Sequence, residues 1–275
     1  MHESPNAALS RQIRNIRLLP PETARGIRWV LTDIDDTMTR DGKLVPAAYA
    51  ALCSLKEAGL SVVAVTGRSA GWGQVHLQEW PLDGVITENG AVSYFPGGSL
   101  ADPSALRNTE PALLRAARAS YLAVPRAKPA QDNHLRLYDY AIDHSEYVRP
   151  PLTSSEVDTI VGIFEKEGCT AKPSSIHINC WVGSFNKRDA SIRFLSEREG
   201  YRDDTDREKV LYVGDALNDE VMFAHFPNAC AVANVDVWLD RMQSLPSWIS
   251  GSGYGDGFAE IAGVLLEKRL TEVPN

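Results

Sequence analysis

The stretch Trp29-Val30-Leu31-Thr32-Asp33-Ile34-Asp35-Asp36-Thr37 runs from apolar residues straight into three acids within four positions. The apolar run from Ile27 to Leu31 predicts a short buried strand. Carboxylates crowded at its end repel one another by roughly 4 kcal/mol per pair at about 4 Å and an effective dielectric near 20. The cluster therefore needs either full solvation, as in an acidic surface turn, or a positively charged partner.

The flanking segments decide between the two. Ala47, Ala48, Ala51, Leu52, Leu55 and Ala58 recur at helical spacing and stop at Gly59. Leu60 to Val65 reads as a second buried strand, Gly84 to Ile86 as a third, and residues 209–213 and 229–233 as two more, with helices over 192–199 and 219–225. Continuously apolar strands alternating with helices predict an α/β fold, a Rossmann-like parallel sheet with helices on both faces. In such sheets ligands bind outside the carboxyl ends of the strands, near the point where strand order reverses. Four of the strands deliver polar groups there: Asp33 and Asp35, then Thr66-Gly67-Arg68, then Glu88-Asn89-Gly90, then Asp215, Asn218 and Asp219 of LYVGDALND. One acidic turn is ordinary; one sheet edge loaded four times is a site.

Between residues 91 and 184 the pattern changes to strand (91–95), helix (111–122), strand (135–142), helix (155–167) and strand (176–182). Several of these strands alternate apolar and polar residues, as half-exposed sheets do. Ile176, Ile178, Cys180 and Val182 are expected on one face, with His177, Asn179 and Trp181 on the other. The expected organisation is an N-terminal extension (1–26), a core made of 27–90 and 185–275, and an inserted α+β domain (91–184).

Composition narrows the function. With 44% hydrophobic and 23% charged residues over 275 positions, the chain suits a soluble globular protein with a sizeable core. Its 28 basic and 36 acidic residues disfavour nucleic acid as a partner and leave small anionic substrates open. Cys53, Cys169, Cys180 and Cys230 lack CxxC or metal-type spacing and read as small core residues in a reducing compartment. No apolar run approaches the roughly 18 residues of a membrane span. The first 28 residues carry five arginines and Pro20-Pro21 but no apolar signal core, so a loosely packed extension and a cytoplasmic location are expected. Nothing in the sequence sets an oligomeric state.

DIDDT after a strand, Thr66 at a strand end, the lysine of SFNKRDA and GDALND resemble, in order and separation, the four motifs of the haloacid dehalogenase-like (HAD) superfamily. The resemblance covers everything after the N-terminal extension. It implies that the insertion is a C2-type cap of the subclass called IIB, which includes sugar-phosphate phosphatases and phosphohexomutases.

The residues suit the implied chemistry. Phosphoryl transfer needs an in-line nucleophile, neutralised oxygens and a proton for the leaving group. Asp33 is the expected nucleophile, forming an aspartyl-phosphate. Asp35, two residues on, starts from the same face of an extended chain and is the expected general acid and then base. Asp33, Asp215 and Asp219 form an oxygen-rich set for one hard cation, best Mg²⁺, and the resemblance adds the backbone carbonyl of Asp35 as a ligand. Thr66, Gly67, Lys187 and Asn218 are the expected phosphate-binding residues, with Lys172 and Lys209 as competitors for the place of Lys187. Asp36 is expected to serve the turn. Arg68, Asn89, Arg136, His177 and Asn179, with Tyr138 and Trp181, are candidate readers of the substrate.

Relatives that displace halide do not carry an acid where Asp35 stands, so Asp35 argues for phosphatase or mutase chemistry. The expected function is a Mg²⁺-dependent phosphatase acting on a small phosphorylated metabolite, a sugar phosphate or its conjugate. The alternatives are a phosphohexomutase and a catalytically silent binding or regulatory protein of the same fold.

Overall fold

The computed structural model of the protein describes residues 13–271. Nine strands form one mixed sheet, in the spatial order Arg14–Asn15, Trp248–Ile249, Asn228–Ala231, Val210–Gly214, Trp29–Thr32, Ser61–Val65, Gly84–Thr87, Val92–Phe95 and Gly98–Ala101. The first seven run parallel, and the last two add an antiparallel hairpin at the edge. The continuous apolar runs arise because both faces are covered. Val30, Val62, Ala64 and Leu211 face helices Pro46–Glu57 and Tyr254–Leu270, while Trp29, Leu31, Val63 and Val65 face Lys187–Glu199 on the other side.

Strand order reverses at Trp29–Thr32. From it the chain steps one way to Ser61–Val65 and Gly84–Thr87, and returns on the other side through Val210–Gly214 and Asn228–Ala231. Val213 pairs with Thr32, and the Asp33 N–H donates to the Val213 carbonyl at 2.8 Å. The two strands thus end side by side, and Asp33 and Asp215 emerge from adjacent positions at the switch point.

The insertion carries a separate antiparallel sheet, ordered Thr170–Pro173, His177–Trp181, Asp139–Asp143 and Lys128–Pro129. Helices Pro111–Ala123 and Ser154–Lys166 cover one face, where Leu113, Ile142, Ile160, Phe164, Ile178 and Cys180 form the cap core. Ser154–Lys166 starts with a capping box between Thr153 and Glu156.

Three expectations need correction. The strand expected at 91–95 hydrogen-bonds to the core strand Gly84–Thr87 and, with Gly98–Ala101, belongs to the large sheet instead of the cap. The strand expected at 135–142 begins only at Asp139, because Asn133–Leu135 is a 3₁₀ turn. The described part of the N-terminal extension is packed, not loose: Arg14–Asn15 pairs with Trp248–Ile249, and Ile16, Leu19 and Ala24 are buried in the core. Residues 1–12 lie outside the described residues. Also unanticipated were helices Ala70–Glu79 and Tyr254–Leu270.

All four cysteines are free, three of them buried. Among the described residues no helix is long and apolar enough to cross a membrane. Leu19→Ala is expected to destabilise the fold by about 2–5 kcal/mol in urea unfolding, as for other buried leucines. A loss under about 1 kcal/mol would mean that this segment lies on the core without belonging to it.

Candidate active site

Oxygens of Asp33, Asp215 and Asp219 lie within 4.8 Å of one another, and all three residues are buried. Each is held by local structure. Asp215 Oδ1 accepts the Thr37 hydroxyl at 2.9 Å, and its Oδ2 accepts Asn234 Nδ2 at 3.2 Å. Asp219 Oδ2 accepts the N–H groups of Asp215 (2.9 Å) and Ala216 (3.1 Å). This loop closes so tightly that a Cβ on Gly214 would stand 2.5 Å from Asp219 Oδ2, which is why glycine is required there. Asp219 Oδ1 accepts both Lys187 Nζ and the Tyr212 hydroxyl, each at 2.6 Å.

With two donors on each oxygen, Asp219 has its roughly four acceptor sites filled. Expected as a metal ligand, it lies in the acidic group and also braces Lys187 and the loop. Lys187, the first residue of helix Lys187–Glu199, is 1% exposed and also lies 3.1 Å from Asp33 Oδ1. That approach is an ion pair and not a directed hydrogen bond, and Asp33 Oδ1 has no hydrogen-bond donor of its own. Neither competitor comes to this cluster: Lys209 pairs with Asp206, and the strand residue Lys172 has an exposed position.

The charges do not balance. Were all three carboxylates ionised, one ammonium would leave two negative charges in a buried space. The environment shifts each group accordingly. Burial, with Asp219 and Asp35 nearby, pushes Asp33 up to about 8 although Lys187 pulls the other way. Burial and the charges of Asp219 and Asp33 push Asp215 well above the usual carboxylate range. Burial alone would lower Lys187, but Asp219 and Asp33 outweigh it and raise it to about 12. The orphaned Asp33 oxygen and a deficit of two charges fit one divalent cation held by Asp33 and Asp215.

Asp35, close enough for its charge to act on Asp33, pairs with Arg68, whose Nη2 is 2.7 Å from Oδ1. Thr66 is fully buried and its Oγ1 accepts the Arg68 N–H, leaving the hydroxyl proton free to donate. Asn218 Nδ2 donates to Asn89 Oδ1 at 3.3 Å, and both residues keep an unpartnered polar atom. Glu88 and Asn89 hold left-handed backbone angles, φ 49° and 55°, in the loop that Gly90 completes.

The expected substrate readers on the cap are engaged otherwise. Arg136 is buried, paired with Asp132 and Asp139, and donates to the Gly67 carbonyl at 2.9 Å. Asn179 Nδ2 donates to the same carbonyl at 3.0 Å. His177 Nε2 pairs with Glu146, Tyr138 lies under Arg107, and Trp181 stacks on Phe185. Glu88, fully buried, accepts the N–H groups of Ala70, Leu137, Tyr138 and Asp139. The strand His177–Trp181 shows the expected alternation, yet both faces are buried, because its polar face rests on the Thr66-Gly67-Arg68 loop.

Sequence reading missed Thr37, Tyr212, Asn234 and Glu146. Asn234 follows the strand Asn228–Ala231 at the same loaded edge, so the rule that found the others would have found it. Tyr212 lies inside an apolar strand and gave no such signal.

A cavity of about 660 Å³ opens beside Asp35 and Arg68, walled by Trp72, Leu135, Tyr147 and Ile176. A second of about 210 Å³ is lined by Lys187 and Asn218.

Residues 30–110 match the sequence model of the family described as haloacid dehalogenase-like hydrolase. Solved structures share the fold. A Thermoplasma acidophilum protein is 20% identical, with a TM-score of 0.69 over 89% of this chain and 99% of that one. A HAD subclass IIB sugar phosphatase is 14% identical, with a TM-score of 0.62 over 87% and 98%. The sucrose-phosphatase of a Synechocystis species, solved with sucrose and phosphate, is 17% identical, with a TM-score of 0.61 over 88% and 98%. No curated protein matches the chain in sequence. The chain thus shares the fold of these structures, and its residues 30–110 resemble the haloacid dehalogenase-like hydrolases.

The site predicts a pH-dependent response to metal. Without a cation, Asp33 and Asp215 retain protons in the folded chain that the unfolded chain releases near pH ~4. Their contribution to stability is therefore full below pH ~4 and is lost as pH rises through the raised value of about 8 for Asp33. Added Mg²⁺ should raise the Tm of chelator-treated protein more at about pH 8 than at about pH 5, where protons compete for the carboxylates. An equal shift at both would count against a cation between them.

Proposed function

We propose that the chain is a Mg²⁺-dependent phosphatase that hydrolyses a small phosphorylated metabolite through an aspartyl-phosphate on Asp33. The observation that carries this reading is the meeting of Asp33, Asp215 and Lys187 in one buried, charge-deficient cluster at the switch point. Asp33 and Asp215 would hold Mg²⁺, which when bound supplies Lewis-acid neutralisation of phosphate oxygens.

The chain's own groups divide the remaining work. The Asp33 carboxylate attacks phosphorus, with the Lys187 ammonium 3.1 Å from its Oδ1. Lys187, held by Asp219, offsets negative charge on the nucleophile and on the transferring group. The Thr66 hydroxyl and Asn218 donate to phosphate oxygens. Asp35 gives a proton to the leaving oxygen and later takes one from the attacking water. The leaving group occupies the 660 Å³ cavity beside Asp35, which is of the size that holds small ligands. The sugar phosphatases among the structural neighbours fit a sugar phosphate in that room. A cavity of this size suits a small substrate better than a protein.

Phosphate release from p-nitrophenyl phosphate and a panel of sugar phosphates, with and without Mg²⁺, tests the reading. Formation of an isomeric sugar phosphate without release would favour a mutase, and no turnover of any compound a silent protein. Asp33→Asn is expected to remove turnover while the protein stays folded by circular dichroism. Activity above a few per cent of wild type would reassign the nucleophile. Asp35→Asn should slow turnover by about 10²- to 10⁴-fold.

A further inference from the structure

Arg68 stands at the seam between core and cap with a carboxylate from each in reach. Its Nε donates to both oxygens of Asp35 at 2.9 Å and its Nη2 donates to Oδ1 at 2.7 Å. On the other edge of the guanidinium, Nη1 lies 3.0 Å from Glu146 Oε1. The second Glu146 oxygen, Oε2, accepts from His177 Nε2 at 2.8 Å. None of the four side chains is more than 13% exposed.

Both ends of this chain are anchored. The Arg68 backbone is fixed on the core by Thr66 Oγ1, which accepts its N–H, and by the Glu88 N–H, which donates to its carbonyl. Glu146 is fixed on the cap, where the Asp143 carboxylate accepts the N–H groups of Glu146 and Tyr147 at 2.8 and 2.9 Å. Arginine suits the link because its planar fork can meet two carboxylates at once; a lysine meets them as a single point charge.

We propose that Arg68 is the positioning residue for Asp35, and that Glu146, backed by His177, sets the Arg68 fork only when the cap is closed. Asp35 then reaches its working orientation as the cavity closes over the leaving group and loses it when the cap lifts. The link makes proton transfer conditional on closure. This inference rests on the phosphatase reading, in which Asp35 protonates the leaving oxygen.

Aryl phosphates of graded leaving-group acidity test it. p-Nitrophenolate departs without a proton and phenolate needs one, and kcat/KM reports on steps up to formation of the aspartyl-phosphate. In Glu146→Gln, kcat/KM is expected to fall about tenfold more for phenyl phosphate than for p-nitrophenyl phosphate, since small misplacements of a reacting group cost up to about 10²-fold. Arg68→Lys should show the same selective loss, and the double variant should be no worse than Arg68→Lys alone. If Glu146→Gln does not fold, Glu146→Asp keeps the charge, shortens the reach, and should give the same selectivity. Equal losses on both substrates, or none, would overturn the link while leaving the phosphatase reading intact. A wild-type protein that releases phosphate from neither compound would overturn both.

Discussion

The structure depends on a charge imbalance that the fold builds and does not resolve. Two adjacent parallel strands end in Asp33 and Asp215, and the loop after the second brings Asp219 back against Gly214. Buried like charges are costly, and a protein retains them only where something offsets the cost. Lys187 supplies one positive charge and is itself placed by Asp219. The hydroxyls of Thr37 and Tyr212 and the amide of Asn234 then hold the carboxylates at fixed distances. In the proposed reading a divalent cation and a phosphoryl group offset this cost, and the site is preorganised for them in that sense.

The second organising contact is the clasp of the cap on the Thr66-Gly67-Arg68 loop. Arg136 and Asn179 both donate to the Gly67 carbonyl, and Glu88 accepts three successive N–H groups of the cap segment 137–139. Ion pairs this deep contribute little net stability but select one arrangement, because breaking them strands a charge away from water. A Cβ on Gly67 would press on Asn179 and Asn89, so the loop residue is small because the cap lies on it.

The core was legible because its signals are local. Apolar runs bounded by acids mark parallel strands, and the sheet-edge rule turns those acids into a site before any contact is known. Helix Ala70–Glu79 was harder, since Gly71 and Gly73 interrupt its apolar pattern; Gly73 is there because a Cβ would collide with Thr87. Helix Tyr254–Leu270 carried a readable spacing in Phe258, Ile261, Ala262 and Leu265. The hairpin Val92–Phe95 and Gly98–Ala101 could not be assigned to core or cap from pattern, because strand pairing is not written in a single strand.

The cap readers show where pattern misleads. Polar residues alternating along a strand indicate a face that is not apolar, and that face can meet water, a ligand or another charged surface. In His177–Trp181 it meets the core: Asn179 is spent on Gly67 and His177 on Glu146. In the proposed reading, recognition of the leaving group falls to the walls of the larger cavity, where Trp72 of helix Ala70–Glu79 is 40% and Tyr147 55% exposed, and where neither side chain has a role in the clasp. Aromatic surfaces left open beside a proton-transferring acid suit a ring with an apolar face and a hydroxylated rim. Arg136, Asn179 and Glu88 of the clasp do not line that cavity, so in this reading substitutions at Trp72 and Tyr147 are expected to alter what the protein accepts without loosening the clasp.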